Sequence, residues 1–438
     1  MSTSLMMFTK VNGNKSKEFV MDFLLEQMFK MDWKSDLEKS HDKGIIDVAE
    51  KLVDPNARSQ VYCAIKNGSY QIMPPREQLI PKDNGDFRTV YICSDIDRVV
   101  LTIINNLLFE LCPEMIHKNC KSYQKGLSTQ KTVKEVVRNI QNMKSNIIGL
   151  KVDLTKYFDS VPIRFVDEIF DKVEEKLGKS KVIDMLRKFY HQNLCFDLEG
   201  NLVEHYFSLG QGVATASWLA NAILYNIDEE ISKMNVYYVR YSDDLLLIGK
   251  DWQKAEVRLR ELLAEKELVL NPKKVEVLKK DKFFKFLGFS IRGNEISLSK
   301  DRIKTFQKEI ENRTIKSNFS YQKAINQVMK YLYGDMRDNG YSWSTACLTT
   351  INVKEDIQTM NNFVMDCLRA VKTGKKKLYG LGYEPNKKTG VITAGRGQNV
   401  TSNRNKTDKI IPDYISLMKA RNSMLISNDC FNALRRSV

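Results

Sequence analysis

Two adjacent carboxylates, Asp243 and Asp244, follow Tyr241-Ser242. They lie between two apolar or aromatic runs, Val236-Tyr237-Tyr238-Val239-Arg240 and Leu245-Leu246-Leu247-Ile248. Both flanks are rich in strand formers, so the stretch reads as a β-hairpin with the acids at its turn. Like charges side by side repel, and withdrawal from water sharpens the repulsion. A divalent cation would neutralise them, which points to a Mg²⁺ platform for phosphoryl transfer. Taken alone, Ser-Asp-Asp is also ordinary turn chemistry.

A second acid tips the balance. Ile147-Ile148-Gly149-Leu150-Lys151-Val152 is an apolar strand that runs into Asp153, where a buried strand stops before a loop. The two segments supply three carboxylates that can converge on one pair of metals. A two-metal site activates the attacking oxygen, steadies the leaving one and draws its acids from separate elements.

The residues around these acids resemble those of the reverse transcriptases. Asp153 to Ser160, read as Asp-x-x-x-Tyr-Phe-Asp-Ser, resembles the family's first catalytic block, and Tyr241-Ser242-Asp243-Asp244 its Tyr-x-Asp-Asp box. Ile80 to Arg88 resembles the fingers segment, and Ser122 to Thr129 the block after it. Leu209 to Ser217 resembles the nucleotide-facing block, while Leu268 to Lys274 and Lys285 to Phe289 resemble the last palm blocks. Seven blocks in order over roughly residues 70–292 are specific where a single box is not.

The resemblance implies an α+β, right-hand polymerase fold with fingers and palm, followed by a mainly helical C-terminal region. It implies a helical N-terminal extension at 1–70, fingers at 71–146, a palm at 147–292 with fingers helices interleaved, and a thumb-like helical region at 293–370. A basic, Gly-rich arm and C-terminal helix follow at 371–438. Asp153 and Asp243 would bridge two Mg²⁺ ions, for which Mn²⁺ can substitute. Asp244 would assist, and the Leu154 carbonyl would complete the metal shell. Lys82 and Arg88 would meet the nucleotide's phosphates, Arg through its planar fork. Phe158 would close the space beside the sugar's 2′ position, or serve as a core phenylalanine, or both. Gln211 and Gly212 would lie against the nascent base pair, glycine allowing the close approach. Lys274 would hold or protonate the leaving pyrophosphate, with Lys273 an equally available neighbour.

The nucleotide-facing block departs from the family pattern. Thr215-Ala216-Ser217-Trp218 stands where Ser-Pro is usual, which points away from the retroviral and intron-encoded branches. With no nuclease, integrase or protease block visible, the chain resembles the bacterial abortive-infection and defence-associated enzymes. That implies deoxynucleotide substrates, a dedicated non-coding RNA template and a DNA product in antiphage defence; many such enzymes form homo-oligomers. A retron or intron-derived enzyme stays open, as does a catalytically silent RNA-binding scaffold, although a scaffold has no reason to keep a costly acid cluster.

Composition agrees. The 438 residues suffice for two or three domains, and a formal net charge of +15 implies an anionic partner such as nucleic acid. No apolar run approaches a membrane span. Met1 to Lys10 lacks the pattern of a secretory signal, and the eight cysteines lie without Cys-x-x-Cys pairs, so reduced thiols in the cytoplasm are expected. Cys112, His117 and Cys120 lack further ligands for zinc. Gly178-Lys179-Ser180 echoes a P-loop, but Val173 stands in place of its first glycine.

The elements that must position these residues can also be read. Phe19, Phe23, Leu24, Met28 and Phe29 recur at helical spacing. Asn84-Gly85 predicts a turn between Lys82 and Arg88. Helices are expected over Asp97 to Leu111, from Pro162 to Leu177 with Gly178 as stop, and over Ser217 to Ile231. One helix and two strands should finish the palm over 251–292. Ile303, Phe306, Ile310, Ile325, Val328, Met329 and Leu332 should form the core of a helical region over 300–365. Lys375, Lys376, Lys377, Lys387, Lys388 and Arg396 are interleaved with glycines and with Tyr379 and Tyr383. They read either as an arm that wraps nucleic acid or as a solvated linker.

Overall fold

The computed structural model describes residues 20–30, 42–82, 86–334, 342–374, 383–385, 392–394 and 415–426. The strands are β1 (Arg76–Pro81), β2 (Phe87–Ile92), β3 (Ile147–Asp153), β4 (Leu194–Phe196), β5 (Leu202–Glu204), β6 (Tyr237–Tyr241), β7 (Asp244–Ile248), β8 (Glu276–Lys279), β9 (Phe284–Phe286), β10 (Phe289–Arg292), β11 (Glu295–Leu298), β12 (Tyr383–Pro385) and β13 (Ile392–Ala394). The chain divides into two compact units, Met1–Gly126 with Leu150–Glu276, and Leu127–Gly149 with Val277–Val438.

The first unit holds the acids. Its sheet β2-β1-β4-β5 carries the basic hairpin, and β6, β7 and β3 lie side by side in a second sheet. Buried strands of Val, Leu, Ile and Tyr give β6 and β7 their apolar faces, with Tyr238, Val239 and Leu245 to Ile248 almost fully enclosed. One hydrophobic core runs from Met21 to Leu270, drawing on the helices Asp95–Leu111, Ile163–Leu177 and Lys181–His191. Local signals set these helices. Ser94 accepts from the Asp97 N–H, Pro162 precedes the first turn of Ile163–Leu177, and Gly178 ends it at φ +89°. Ser180, part of the P-loop echo, caps Lys181–His191 by accepting from the Val182 N–H.

In the second unit, β9, β10 and β11 form an antiparallel sheet. Among the described residues it also holds the helices Thr129–Gln141, Lys300–Asn312, Tyr321–Tyr333, Trp343–Cys347, Lys354–Thr373 and Leu417–Ile426. Ile303, Phe306, Ile310, Ile325, Val328, Met329 and Leu332 are buried, as their spacing predicts. β12 pairs with β13, on either side of residues outside the description. No helix among the described residues is long and apolar enough to cross a membrane.

Three expectations change. The helix over Ser217 to Ile231 is two helices, Ala216–Ile223 and Tyr225–Ser232, parted at Leu224. At the break the Asn221 carbonyl accepts from the Arg240 guanidinium at 3.2 Å, a tertiary contact that the helical pattern does not carry. The segment 251–292 contains strands β8, β9 and β10 rather than two. The helix expected from Asp97 starts at Asp95, because Ser94 provides the cap. Phe19 and the Asn84-Gly85 turn lie outside the described residues.

Candidate active site

The acids sit where two strand ends meet. β6 and β7 pair antiparallel with Tyr241 opposite Asp244, leaving Ser242 and Asp243 as a two-residue turn. Ser242 has φ +59°, a conformation that glycine usually supplies in such turns. β3 lies beside β7 and ends at Asp153. The Leu154 N–H donates to the Asp243 carbonyl at 3.1 Å, so the end of β3 is bonded directly to the turn. The Asn271 N–H donates to the Asp153 carbonyl at 2.8 Å, which brings the Asn271–Lys274 segment to the same place.

The electrostatics follow from this crowding. Burial raises the Asp243 carboxyl to about 6, with the charges of Asp153 and Asp244 adding to the effect. Burial also raises Asp153, against the opposing pull of Lys274. The Lys274 ammonium lies 2.8 Å from both oxygens of the Asp153 carboxylate. The Lys151 ammonium lies 3.7 Å from Asp244. Lysine ammoniums thus face Asp153 and Asp244, and carboxylate oxygens are hard donors of the kind that hold Mg²⁺, although among the described residues no three His, Cys, Asp or Glu side chains stand as a ready metal-holding group.

A second group of predicted residues lies around the Gln211-Gly212 turn. The Phe158 carbonyl accepts from the Leu209 and Gly210 N–H groups at 3.1 and 3.3 Å, which ties the turn to the segment after Asp153. Phe158 itself is half-buried, edge-on to Tyr157. The Gln211 carbonyl accepts from the Tyr91 N–H at 2.7 Å. Gly212 has φ +110°, and a Cβ there would stand 2.8 Å from the Tyr91 carbonyl oxygen. Only glycine fits this approach. Lys82 and Arg88 are exposed on the β1–β2 hairpin. Burial raises the Asp159 carboxyl while Lys156, His205, Lys82 and Arg88 oppose the rise, so the basic hairpin is felt beside Phe158.

Some positions around these residues escape sequence reasoning. Tyr91 clasps the glycine turn and bonds His205 Nε2 through its hydroxyl at 2.8 Å. Arg240 and Asp228 form a fully buried ion pair behind the acid turn. An arginine inside an otherwise apolar strand is the one signal that points to the pair, since such a charge needs a buried partner. Lys375, Lys376, Lys377, Lys387, Lys388 and Arg396 lie outside the described residues. Of the discarded zinc candidates, Cys112 and Cys120 are buried thiols, and His117 Nδ1 accepts from the Asn119 N–H at 3.2 Å.

Known proteins match the same stretch. A family model described as "Reverse transcriptase (RNA-dependent DNA polymerase)" matches residues 80–291. The putative COX1/OXI3 intron 1 protein of Saccharomyces cerevisiae is 22% identical over 334 residues, covering 63% of this chain and 38% of that protein. The retron Ec48 reverse transcriptase of Escherichia coli is 21% identical over 273 residues, covering 57% of this chain and 62% of that one. The chain thus spans less than two thirds of either relative. Among solved structures, apo telomerase from Candida tropicalis aligns at a TM-score of 0.43 and 12% identity, over 69% of this chain and 57% of that chain. The strand-borne acids and the family match fall on the same α+β framework, a right-hand polymerase fold. Over residues 80–291, therefore, this chain is similar to the reverse transcriptases.

Proposed function

We propose that this chain is an RNA-directed DNA polymerase that joins deoxynucleotides by two-metal phosphoryl transfer with Mg²⁺. The observation that carries the reading is the direct bond between the end of β3 and the acid turn, from the Leu154 N–H to the Asp243 carbonyl. These carboxylates, with the Leu154 carbonyl, would hold the ions. The fit rests on the oxygen donors, on the raised Asp243 carboxyl and on the Lys274 ammonium across Asp153, which marks a place for positive charge. When bound, the ions neutralise charge on the attacking and leaving oxygens.

The chain's own groups do the rest. Lys82 and Arg88 gather the triphosphate, and their exposed side chains are free to close on it. The Gln211-Gly212 backbone lies against the base pair, and Phe158 crowds a 2′-hydroxyl. Lys274, whose ammonium lies 2.8 Å from both Asp153 oxygens, would hold or protonate the leaving pyrophosphate. Positioning and charge neutralisation supply most of the catalysis in such transfers.

The unusual Thr215-Ala216-Ser217 segment supports a defence-associated enzyme that copies a dedicated non-coding RNA in the cytoplasm. The similarity to the retron Ec48 and Ec73 reverse transcriptases favours a second reading, a retron-type enzyme. Purified protein with Mg²⁺, labelled deoxynucleotides and a primed RNA template should yield DNA, and Asp153→Ala should yield none. Failure of the unaltered protein to incorporate nucleotide on any primed template would leave the scaffold reading. Sequencing the nucleic acid that co-purifies would separate the two settings, since it shows template and product together.

A further inference from the structure

Behind the acid turn lies a set of buried polar groups that the chemistry above does not use. Arg240 and Asp228 are both fully enclosed, and their side chains meet in a two-pronged contact, Nε to Oδ1 at 2.8 Å and Nη2 to Oδ2 at 2.6 Å. The Tyr238 hydroxyl donates to the same carboxylate at 2.6 Å. The guanidinium has donors left over. Nη1 donates to the Ser242 carbonyl at 3.2 Å, and Nη2 to the Asn221 carbonyl at 3.2 Å.

Ser242 is thereby held at every polar atom. Its N–H donates to Ser122 Oγ at 3.0 Å, and its own Oγ accepts from the Tyr123 hydroxyl at 3.2 Å. Ser122 is in turn fixed by Asn221, donating to Oδ1 and accepting from Nδ2 at its carbonyl, both at 2.9 Å. The backbone of Arg240 is clamped too, its N–H on the Asn119 carbonyl and its carbonyl on the Lys121 N–H.

This is more fixation than a stable hairpin needs. A buried ion pair contributes little to stability against a well-packed apolar pair, because both charges have left water. What such a pair can supply is one defined geometry. Ser242 stands at positive φ without being glycine, a conformation that persists only when its surroundings impose it. Asp243 is the next residue, and its carboxylate must stay beside Asp153 against mutual repulsion. We propose that Asp228 and Arg240 are positioning residues that lock the Ser242-Asp243 turn, so that the carboxylates are set for metal ions before these bind. The inference rests on the polymerase reading and deepens it by naming what prepares the metal site.

The test compares the unaltered protein with Arg240→Lys and with the double variant Asp228→Leu, Arg240→Met, which removes both charges. Arg240→Lys keeps the charge but cannot reach Asp228, Ser242 and Asn221 together. Primer extension, thermal melting and Mn²⁺ binding followed by electron paramagnetic resonance are measured for each. The double variant should melt within a few degrees of the unaltered protein, yet bind Mn²⁺ on the order of tenfold more weakly and lose about 10- to 100-fold in kcat, with the KM for template–primer unchanged. Arg240→Lys should shift the same quantities in the same direction. A folded double variant with normal Mn²⁺ binding and kcat overturns the proposal. So does a double variant that does not fold, since the pair would then serve stability rather than position. An unaltered protein that binds Mn²⁺ but makes no DNA would instead sink the polymerase reading.

Discussion

Two antiparallel hairpins of the first unit carry opposite charge and are built in opposite ways. β6–β7 presents carboxylates, is enclosed along both strands and has its turn tied down by Ser122, Tyr123, Arg240 and the Leu154 N–H. β1–β2 presents Lys82 and Arg88, and β1 is exposed at all but one of its positions, with Phe87 opposite it 60% exposed. On the proposed function, the difference follows from what each charge would have to meet. Carboxylates that share a metal pair must be held close despite repulsion, which takes a rigid, partly dry frame. Cations that collect a triphosphate already attract their target, and long solvated side chains are enough.

The largest expected effect lies on the rigid side. Asp243→Asn should lower primer extension by at least about 10³-fold, the upper range for loss of one electrostatic group. The same change should stabilise the metal-free protein at neutral pH. The Asp243 carboxyl stands at about 6 in the folded chain against an ordinary value of 3.8. Folding therefore favours its protonated form, and stability falls as the pH rises from the lower value to the higher. At pH 7.5 the relief should be on the order of 2–3 kcal/mol, and it should vanish below about pH 4. Melting curves across this range check the sign; a variant that melts lower at pH 7.5 would remove the contrast between the hairpins.

The Gly212 turn sits between the two in rigidity. Gly212→Ala forces a Cβ to 2.8 Å from the Tyr91 oxygen at a φ that alanine resists. The strain should be about 1–3 kcal/mol, and kcat/KM for deoxynucleotides should fall about 10- to 100-fold. Steady-state kinetics at saturating template measures it. Phe158→Ala should leave deoxynucleotide use largely intact while narrowing discrimination against ribonucleotides by about tenfold or more. Unchanged sugar selectivity in competition assays would reassign the ring to packing against Tyr157.

The smallest effect belongs to the open hairpin. Lys82→Ala and Arg88→Ala should each raise the KM for deoxynucleotides about three- to tenfold. Because both side chains are exposed, stability should move by no more than about 0.5 kcal/mol. If either substitution cost more than the Gly212 change, the hairpin would be a fixed element rather than a solvated one.

Much of the site was legible in the chain because its signals are local. Asp153 ends an apolar run, Asp243 and Asp244 interrupt two others, and Gly178 stops a helix at the residue expected. Lys274 was legible by type and spacing, but its contact with Asp153 was not, since that depends on the Asn271 N–H bonding to the end of β3. The break at Leu224 was hidden for a similar reason. Nothing in Ser217 to Ile231 forbids a continuous helix; the contacts of Asn221 and Asp228 with Arg240 come from a strand further along the chain.

By itself the sequence determined where the acids and the basic hairpin stand, and that strands deliver the acids, because residue type and period-two burial are properties of short stretches. Tertiary structure alone decided how the acid turn is held. Ser122 stands 99 residues before Asn221, and Asp228 and Arg240 sit on a helix and a strand, so only packing brings the four to one buried point, where each unsatisfied donor or charge must find a partner.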